Sequence, residues 1–481
     1  MTTRVRSRDL AFLAEETAAT PRHNATVEIF EPGESGFDHE RLLELIEDRI
    51  SFVPRYRQRL QPVPGRLANP VWIDDPDFDL GYHVRRSALP RPGTPEQLRE
   101  LVARIVSRPL DRTKPLWEVY VVEGLADGRV ALLYKAHQAL VDGVETVDLA
   151  QVLLDTSPEP KSLGGDEWHA WRPPTSSSLV LGAVRDNLTR PRVLGQTLRS
   201  TSAAAARTAD AAGERAGRVL GAVTGRRHEG ETPISGRHSQ QRRVVSVHTD
   251  LADYQRIREV HGGTVNDVIL ATITGGLRGW LMTRTESLAG LRRVRAVVPV
   301  SVIDRELEAT SLGSQIEAHV VDLPVGEASP VVRLHQVSYA FKSHQETGRG
   351  VAANRLAGIA GFAPSTFHAI GSRVAAWENV RGLQLVVTNV PGPQSPLYAA
   401  GARMVATYPV PPLLPGHLLA IGVTSYDGGV SFGLTVDRDK VPDAEVLGTC
   451  LTEALDELLD TVTGARPRVP RGRRTKKPSR P

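Results

Sequence analysis

The stretch of this chain best suited to chemistry is Leu132-Leu133-Tyr134-Lys135-Ala136-His137-Gln138-Ala139-Leu140-Val141-Asp142-Gly143, an apolar run that ends on a histidine and then an Asp-Gly pair. An imidazole at the end of a buried strand is held rigidly beside a cleft and can exchange a proton near neutral pH. A glycine beyond it lets a substrate or another backbone come close. Alone, the pattern is weak, because His137 also reads as an ordinary structural histidine and Asp142-Gly143 as plain turn chemistry. Asn266 and Asp267 follow the His261-Gly262-Gly263 turn and read first as helix caps. Asn389, ahead of Pro391-Gly392-Pro393, reads as a turn former, His417 as a strand-entry residue and Trp117 as core.

Several signatures are missing. The chain has no phosphate-cradling glycine loop ending in Lys-Ser/Thr, no dinucleotide fingerprint and no His-Glu-x-x-His. Kinase, dehydrogenase and zinc-protease chemistry therefore lose their usual support. A single cysteine, Cys450, excludes an internal disulfide and any multi-cysteine metal site, so no metal is expected.

The elements that must position these residues follow from periodicity. Helices are predicted over 37–50, 94–107 and 144–154, and strands over 117–123 and 129–136, which makes an α/β first domain, 1–156. Residues 157–241, rich in proline and serine and then in alanine and arginine, read as a partly helical connector. A second domain, 242–465, opens with a strand over 242–248 and a helix near 251–260. Strands recur at 294–300, 316–323, 383–388, 418–425 and 430–436, and a helix over 443–462 closes it.

Charge is placed unevenly. Residues 466–481 carry eight basic side chains and no acid, so a chain of net charge +4 has a body of about −4. The tail is predicted to be solvated and disordered, with an anionic lipid surface as its alternative partner. No aromatic stacking motif or basic reading helix accompanies it, so no nucleic-acid partner is expected. The N-terminal residues show no secretory pattern, and the uncharged run 356–372 is interrupted by Pro364 and His368. The expected location is cytoplasmic, with peripheral contact at the inner face of the membrane or at lipid droplets as the membrane alternative.

Placed in context, the His137 segment resembles the His-His-x-x-x-Asp-Gly motif of the bacterial wax ester synthase/diacylglycerol acyltransferase family. Similar blocks recur in order: Pro21-Arg22-His23, Phe78-Asp79-Leu80, Tyr82-His83-Val84, Arg108-Pro109-Leu110-Asp111 and Pro115-Leu116-Trp117-Glu118. They continue as Asn266-Asp267-Val268, Val298-Pro299-Val300-Ser301-Val302, Thr388-Asn389-Val390-Pro391-Gly392-Pro393, Tyr408-Pro409-Val410 and Ser425-Tyr426-Asp427-Gly428. The resemblance runs from about residue 9 to about residue 460. It implies two CoA-dependent acyltransferase-like (chloramphenicol acetyltransferase-like) domains with mixed sheets and an interdomain channel. It also implies transfer of an acyl group from acyl-CoA to a lipid alcohol, giving triacylglycerol or wax ester with no cofactor beyond the acyl-CoA substrate. Asp142 would hold the motif loop, Gly143 would keep the channel open, and Asn266 and Asp267 would lie beside it.

The family uses the second motif histidine as the base, and here that position is Gln138. An amide can hydrogen-bond a hydroxyl but has no nitrogen that takes its proton. His137 could act instead only by reaching the channel, although neighbouring side chains on an extended segment point to opposite faces. A lesser departure is Leu312-Gly313-Ser314, where the family more often has Gly-Asn. Impaired acyl transfer and a non-catalytic acyl-CoA- or lipid-binding protein both remain open at this point, and transfer to an amine or peptide-bound group ranks below them.

Overall fold

The computed structural model describes residues 3–33, 36–140, 149–162, 164, 168–189, 232–284, 291–302, 315–346 and 382–464. The expectations for Asp142, Gly143, the Leu312-Gly313-Ser314 block, most of the connector and the basic tail lie outside the described residues.

In chain order the first half contains β1 (Thr3–Arg4), α1 (Ser7–Glu15), β2 (His23–Glu31), α2 (His39–Arg49), β3 (Gln58–Gln61) and β4 (Val71–Asp74). It continues with α3 (Leu80–His83), β5 (Val84–Ala88), α4 (Pro95–Val106), β6 (Trp117–Glu123), β7 (Val130–His137) and α5 (Leu149–Leu153). After α6 (Ser176–Thr189) come β8 (Arg242–Asp250), α7 (Leu251–His261), α8 (Val265–Arg284), β9 (Val294–Val302), β10 (Gln315–Leu323) and α9 (Pro330–Glu346). The chain then runs through β11 (Leu385–Pro391), β12 (Tyr398–Ala399), β13 (Ala402–Val410), β14 (Leu419–Tyr426), β15 (Gly429–Asp437) and α10 (Ala444–Thr463).

These form two six-stranded mixed sheets, β12-β13-β2-β7-β6-β5 and β10-β9-β11-β14-β15-β8, with a small sheet β1-β4-β3 at the side. The expected mixed α/β architecture is present. Every residue of β7 is buried, which is why it reads as an unbroken apolar run and not as an alternating one. α4 starts where Thr94 and Gln97 form a reciprocal capping box with Pro95 in the first turn. Its stripe Leu98, Val102, Ile105 and Val106 packs on one face of the first sheet, against Val27, Ile29 and Leu133. The opposite face packs α2 and α5 through Phe30, Leu42, Ile46, Leu132 and Leu153.

In the second sheet Leu419, Ile421, Val423, Phe432 and Leu434 face α8 and α10. The alternate positions are small or polar: Gly422 pairs with Gly433, and Thr424 with Ser431. That face allows the two halves to approach. At Gly433 an added Cβ would lie only 1.6 Å from the Pro409 carbonyl oxygen, so β13 rests directly on the β15 backbone. Tyr426 ties the same seam, because its hydroxyl donates to the Met404 carbonyl (3.0 Å) and accepts from the Leu397 amide (2.8 Å).

Strand pairing crosses the expected boundary at 242: β13 lies within 242–465 but pairs antiparallel with β2 from Arg403↔Glu31 to Val410↔Ala25. The physical reason is the unpaired edge of β2, which only a strand from elsewhere can cover.

Candidate active site at the end of β7

The last residue of β7, His137, lies directly opposite His23, the first residue of β2, so both point to the α4 face. The backbone is pinned from two sides: His137 N–H donates to the Leu116 carbonyl (3.0 Å) and Gln138 N–H to the Arg22 carbonyl (2.9 Å). Blocks distant in sequence, at 21–23, 115–118 and 137–138, thus meet at one strand end.

His137 is completely buried, and so is Gln138 (each 0% exposed). The Ala139 N–H donates to His137 Nδ1 (3.0 Å), which makes Nδ1 the acceptor and leaves the proton on Nε2. Nε2 faces Glu16 Oε2 at 3.6 Å. Burial pushes the His137 imidazole below its ordinary value, with Glu16 acting against that and Arg112 and Arg22 adding to it. Burial alone would raise the Glu16 carboxyl. His137, the Arg22 amide and Arg112 outweigh burial and hold it below the usual carboxylate range. Arg112 supplies two donors to Glu16 Oε2, from Nε (3.0 Å) and Nη2 (2.7 Å), and the Arg22 N–H donates to Oε1 (3.0 Å).

The rest of this cluster is equally engaged. His23 Nε2 lies 3.0 Å from the Val106 carbonyl, and burial pushes its imidazole well below the ordinary value. Lys135 Nζ donates to the carbonyls of Arg108 (2.7 Å) and Ile105 (3.2 Å), and burial lowers its ammonium as well. Within the fold His137 Nδ1 is hydrogen-bonded, while Nε2 is buried 3.6 Å from Glu16 without a hydrogen bond.

Gln138 turns the other way. Its amide nitrogen donates to Asn24 Oδ1 at 3.5 Å, a long contact, and Asn24 alternates with His23 onto the opposite face of the sheet. Thr26 and Glu28 continue that buried polar row along β2, and Thr407, the register partner of Glu28, extends it onto β13. What the arrangement offers a hydroxyl at this point is an amide and further hydrogen-bonding groups.

Of the other sequence candidates, Asp267 caps α8: its Oδ2 accepts from the Thr264 N–H (2.9 Å), while Thr264 Oγ1 accepts from the Asp267 N–H (3.1 Å). Asn266 Oδ1 accepts from Asn389 Nδ2 (2.8 Å), which joins the start of α8 to the end of β11. The structure does not bring Asp267 to His137. Trp117 is core: its Nε1 donates to the Tyr56 carbonyl (2.7 Å) and its ring stacks on His83 with centroids 4.5 Å apart. Phe78 stacks on His83 as well, so three family-like blocks form one packed unit. Burial pushes His83 down to about 4. Sequence reasoning passed over Glu16 and Asn24, whose only signal was their place shortly before and just after the Pro21-Arg22-His23 block.

A cavity of about 360 Å³ lies between the two halves, bounded by α4, β2 and β13 on one side and by β8 and Gly433 on the other. None of its lining residues belongs to the motif. Among the described residues no group of three His, Cys, Asp or Glu side chains is placed to hold a metal, and no helix is long and apolar enough to cross a membrane.

Comparison with known proteins places this geometry. Residues 5–269 match the family model for the wax ester synthase/diacylglycerol acyltransferase catalytic domain, and residues 312–459 match that for the WS/DGAT C-terminal domain. A protein of Mycobacterium tuberculosis named as a probable diacylglycerol O-acyltransferase is 34% identical over 423 residues, 88% of each chain. A second one so named in that organism is 41% identical over 260 residues, 54% of this chain and 96% of the relative. Among solved structures, the wax ester synthase/diacylglycerol acyltransferase from Marinobacter aquaeolei VT8 superimposes with a TM-score of 0.66 at 24% identity, covering 96% of this chain and 100% of that one. The first condensation domain of the CDA synthetase superimposes with a TM-score of 0.52 at 16% identity, covering 96% of this chain and 95% of that one. At these identities the two structures establish a shared fold.

Proposed function

The chain belongs to the wax ester synthase/diacylglycerol acyltransferase family, and on that premise we propose that it transfers an acyl group from acyl-CoA to a lipid hydroxyl at a rate limited by Gln138. The acceptor is diacylglycerol or a long-chain alcohol, and the products are triacylglycerol or wax ester with free CoA. The alcohol oxygen attacks the thioester carbonyl carbon, the carbon–sulfur bond breaks, and the hydroxyl proton ends on the departing thiol.

The observation that carries this reading is the meeting of the family blocks at the end of β7, where Gln138 turns toward Asn24 and away from the His137–Glu16 pair. Gln138 orients the hydroxyl by hydrogen bonding and accepts no proton. His137 serves as support: its Nδ1 is occupied by the Ala139 amide and its Nε2 faces Glu16, so taking the proton would cost one of those contacts. Asp142 and Gly143 keep the role of holding the loop and leaving room for substrate, and Asn266 acts with Asn389 on the α8 side. A positioned general base contributes about 10²- to 10⁴-fold in rate, so orientation and binding supply what turnover remains.

The test is release of free thiol from acyl-CoA, with diacylglycerol and with a long-chain alcohol. The expected result is release slow but above the rate without protein. Release no faster than that background with either acceptor removes this reading. The fully buried His137 beside Gln138 favours one second reading, a member that binds acyl-CoA without turning it over, and calorimetric acyl-CoA binding with no thiol release would identify it. Contact with a membrane or lipid-droplet surface belongs to either reading and is read by flotation with anionic vesicles.

A further inference from the structure

The cavity at the seam between the halves has no part in the motif chemistry. It lies on the α4 face of the first sheet, whereas Gln138 turns to the Asn24 face, so the sheet itself separates the two places. Along β2 its first lining residue, Val27, is four positions from His23, or about 13 Å. A volume of about 360 Å³ falls within the usual range for small-molecule sites.

Its lining combines two chemistries. Ile29, Val102, Val244 and Val405 are apolar, and Arg99, Arg129, Ser246 and His248 are basic or polar. Arg129 lines the cavity, and its Nε is buried without a hydrogen-bond partner. Arg99 reaches Ser246 Oγ across the seam at 3.5 Å and pairs with Glu96, which is 68% exposed. An exposed pair of that kind is worth about 1 kcal/mol or less, so a guest can displace it. The N-terminal turn of α4, with Thr94 and Pro95 on the lining, brings its positive end to the same cavity. Arg99 and Arg129 both line the cavity together with Tyr408. Asp127 is the one acid among the lining residues.

We propose that this cavity is a second lipid site, taking a single aliphatic chain that ends in an anionic head group, with a long-chain carboxylate as the guest. The chain occupies the apolar walls and the head group lies between Arg99 and Arg129. Because α4 and β2 line one side and β8 the other, an occupant touches both halves at once.

The test is titration calorimetry on the full chain with dodecanoate, dodecyl phosphate, dodecan-1-ol and inorganic phosphate. Dodecanoate is expected to bind in one saturable step, at least 10-fold more tightly than the alcohol, with no binding of inorganic phosphate. Preference for dodecyl phosphate over dodecanoate would keep the site and reassign the head group. Arg99→Gln with Arg129→Gln should lower dodecanoate affinity at least 10-fold, and Ala406→Phe should abolish dodecanoate binding by filling the space. The double arginine variant is judged only where its thermal transition matches the parent, and if Ala406→Phe does not fold, the double arginine variant and the alcohol arm decide. No dodecanoate binding by the parent, equal affinity for the alcohol, or dodecanoate binding unchanged in the double arginine variant overturns the proposal. Thiol release is not the readout and dodecanoate is neither donor nor acceptor in the proposed acyl transfer, so the dodecanoate arm is independent of that reading.

Discussion

Glu16 joins the motif strand to the rest of the site, because one carboxylate accepts from Arg112 and Arg22 and faces His137. Replacing it by glutamine keeps the shape and removes the charge. Charge-assisted hydrogen bonds of this kind are worth about 1.5–3 kcal/mol each, and the part-exposed Arg112 can regain water, so Glu16→Gln is expected to cost about 2 kcal/mol near neutral pH. Because the folded Glu16 carboxyl is held below the ordinary value of 4.5, its contribution is complete above that pH and fades as pH falls through the folded value. The gap between parent and Glu16→Gln in urea midpoint should therefore close below about pH 4.5. His23 and His137 work at higher pH. Both stay neutral in the fold below 6.5, where the unfolded chain binds protons, so stability falls as pH drops from 6.5. In His23→Gln that decline should be shallower between pH 7.5 and 5.5, and parallel curves for variant and parent would show that the buried imidazole plays no part.

At the scale of elements, the crossing of β13 over β15 depends on a missing side chain. Gly433→Ala would drive a Cβ into the Pro409 carbonyl, and since that obstacle is backbone it cannot swing aside. Overpacking of this kind costs about 1–3 kcal/mol and sometimes more, so a clear drop in melting temperature is expected, larger than for alanine at the exposed Gly262. β6, α4 and α10 could be read from sequence to within a residue because pattern, cap and length agree: Thr94 and Gln97 announce α4, and branched and aromatic residues announce Trp117–Glu123. β2 and β13 were not legible. β2 carries Asn24, Thr26 and Glu28 buried on one face, so polarity that belongs to the site disguised a central strand. β13 pairs across more than 370 positions, a contact that no local pattern contains. The motif could be found from residue order, but not the commitment of His137 to Glu16, which depends on how Arg22, Arg112 and the strand end pack.

For the whole molecule, β13 makes the two halves one structure and not two beads on a linker. A fragment ending at residue 241 would lose β12 and β13 and bare the edge of β2. Such an edge invites pairing between chains, so the fragment is expected to elute as aggregate in size-exclusion chromatography, and a monodisperse folded monomer would show that the first half is self-sufficient. The same closure fixes the site, because the segments that meet at the end of β7 come from residues 16 to 138 while the seam is closed by residues 402 to 437. The proposed reading, an acyltransferase frame with an amide in place of a base, makes a strong demand on one substitution. Gln138→His, assayed for CoA release beside the parent with the same acceptor, should gain about 10²- to 10⁴-fold in rate, equivalent to about 3–5.5 kcal/mol of barrier. A folded Gln138→His protein that releases thiol no faster than the parent would contradict the account.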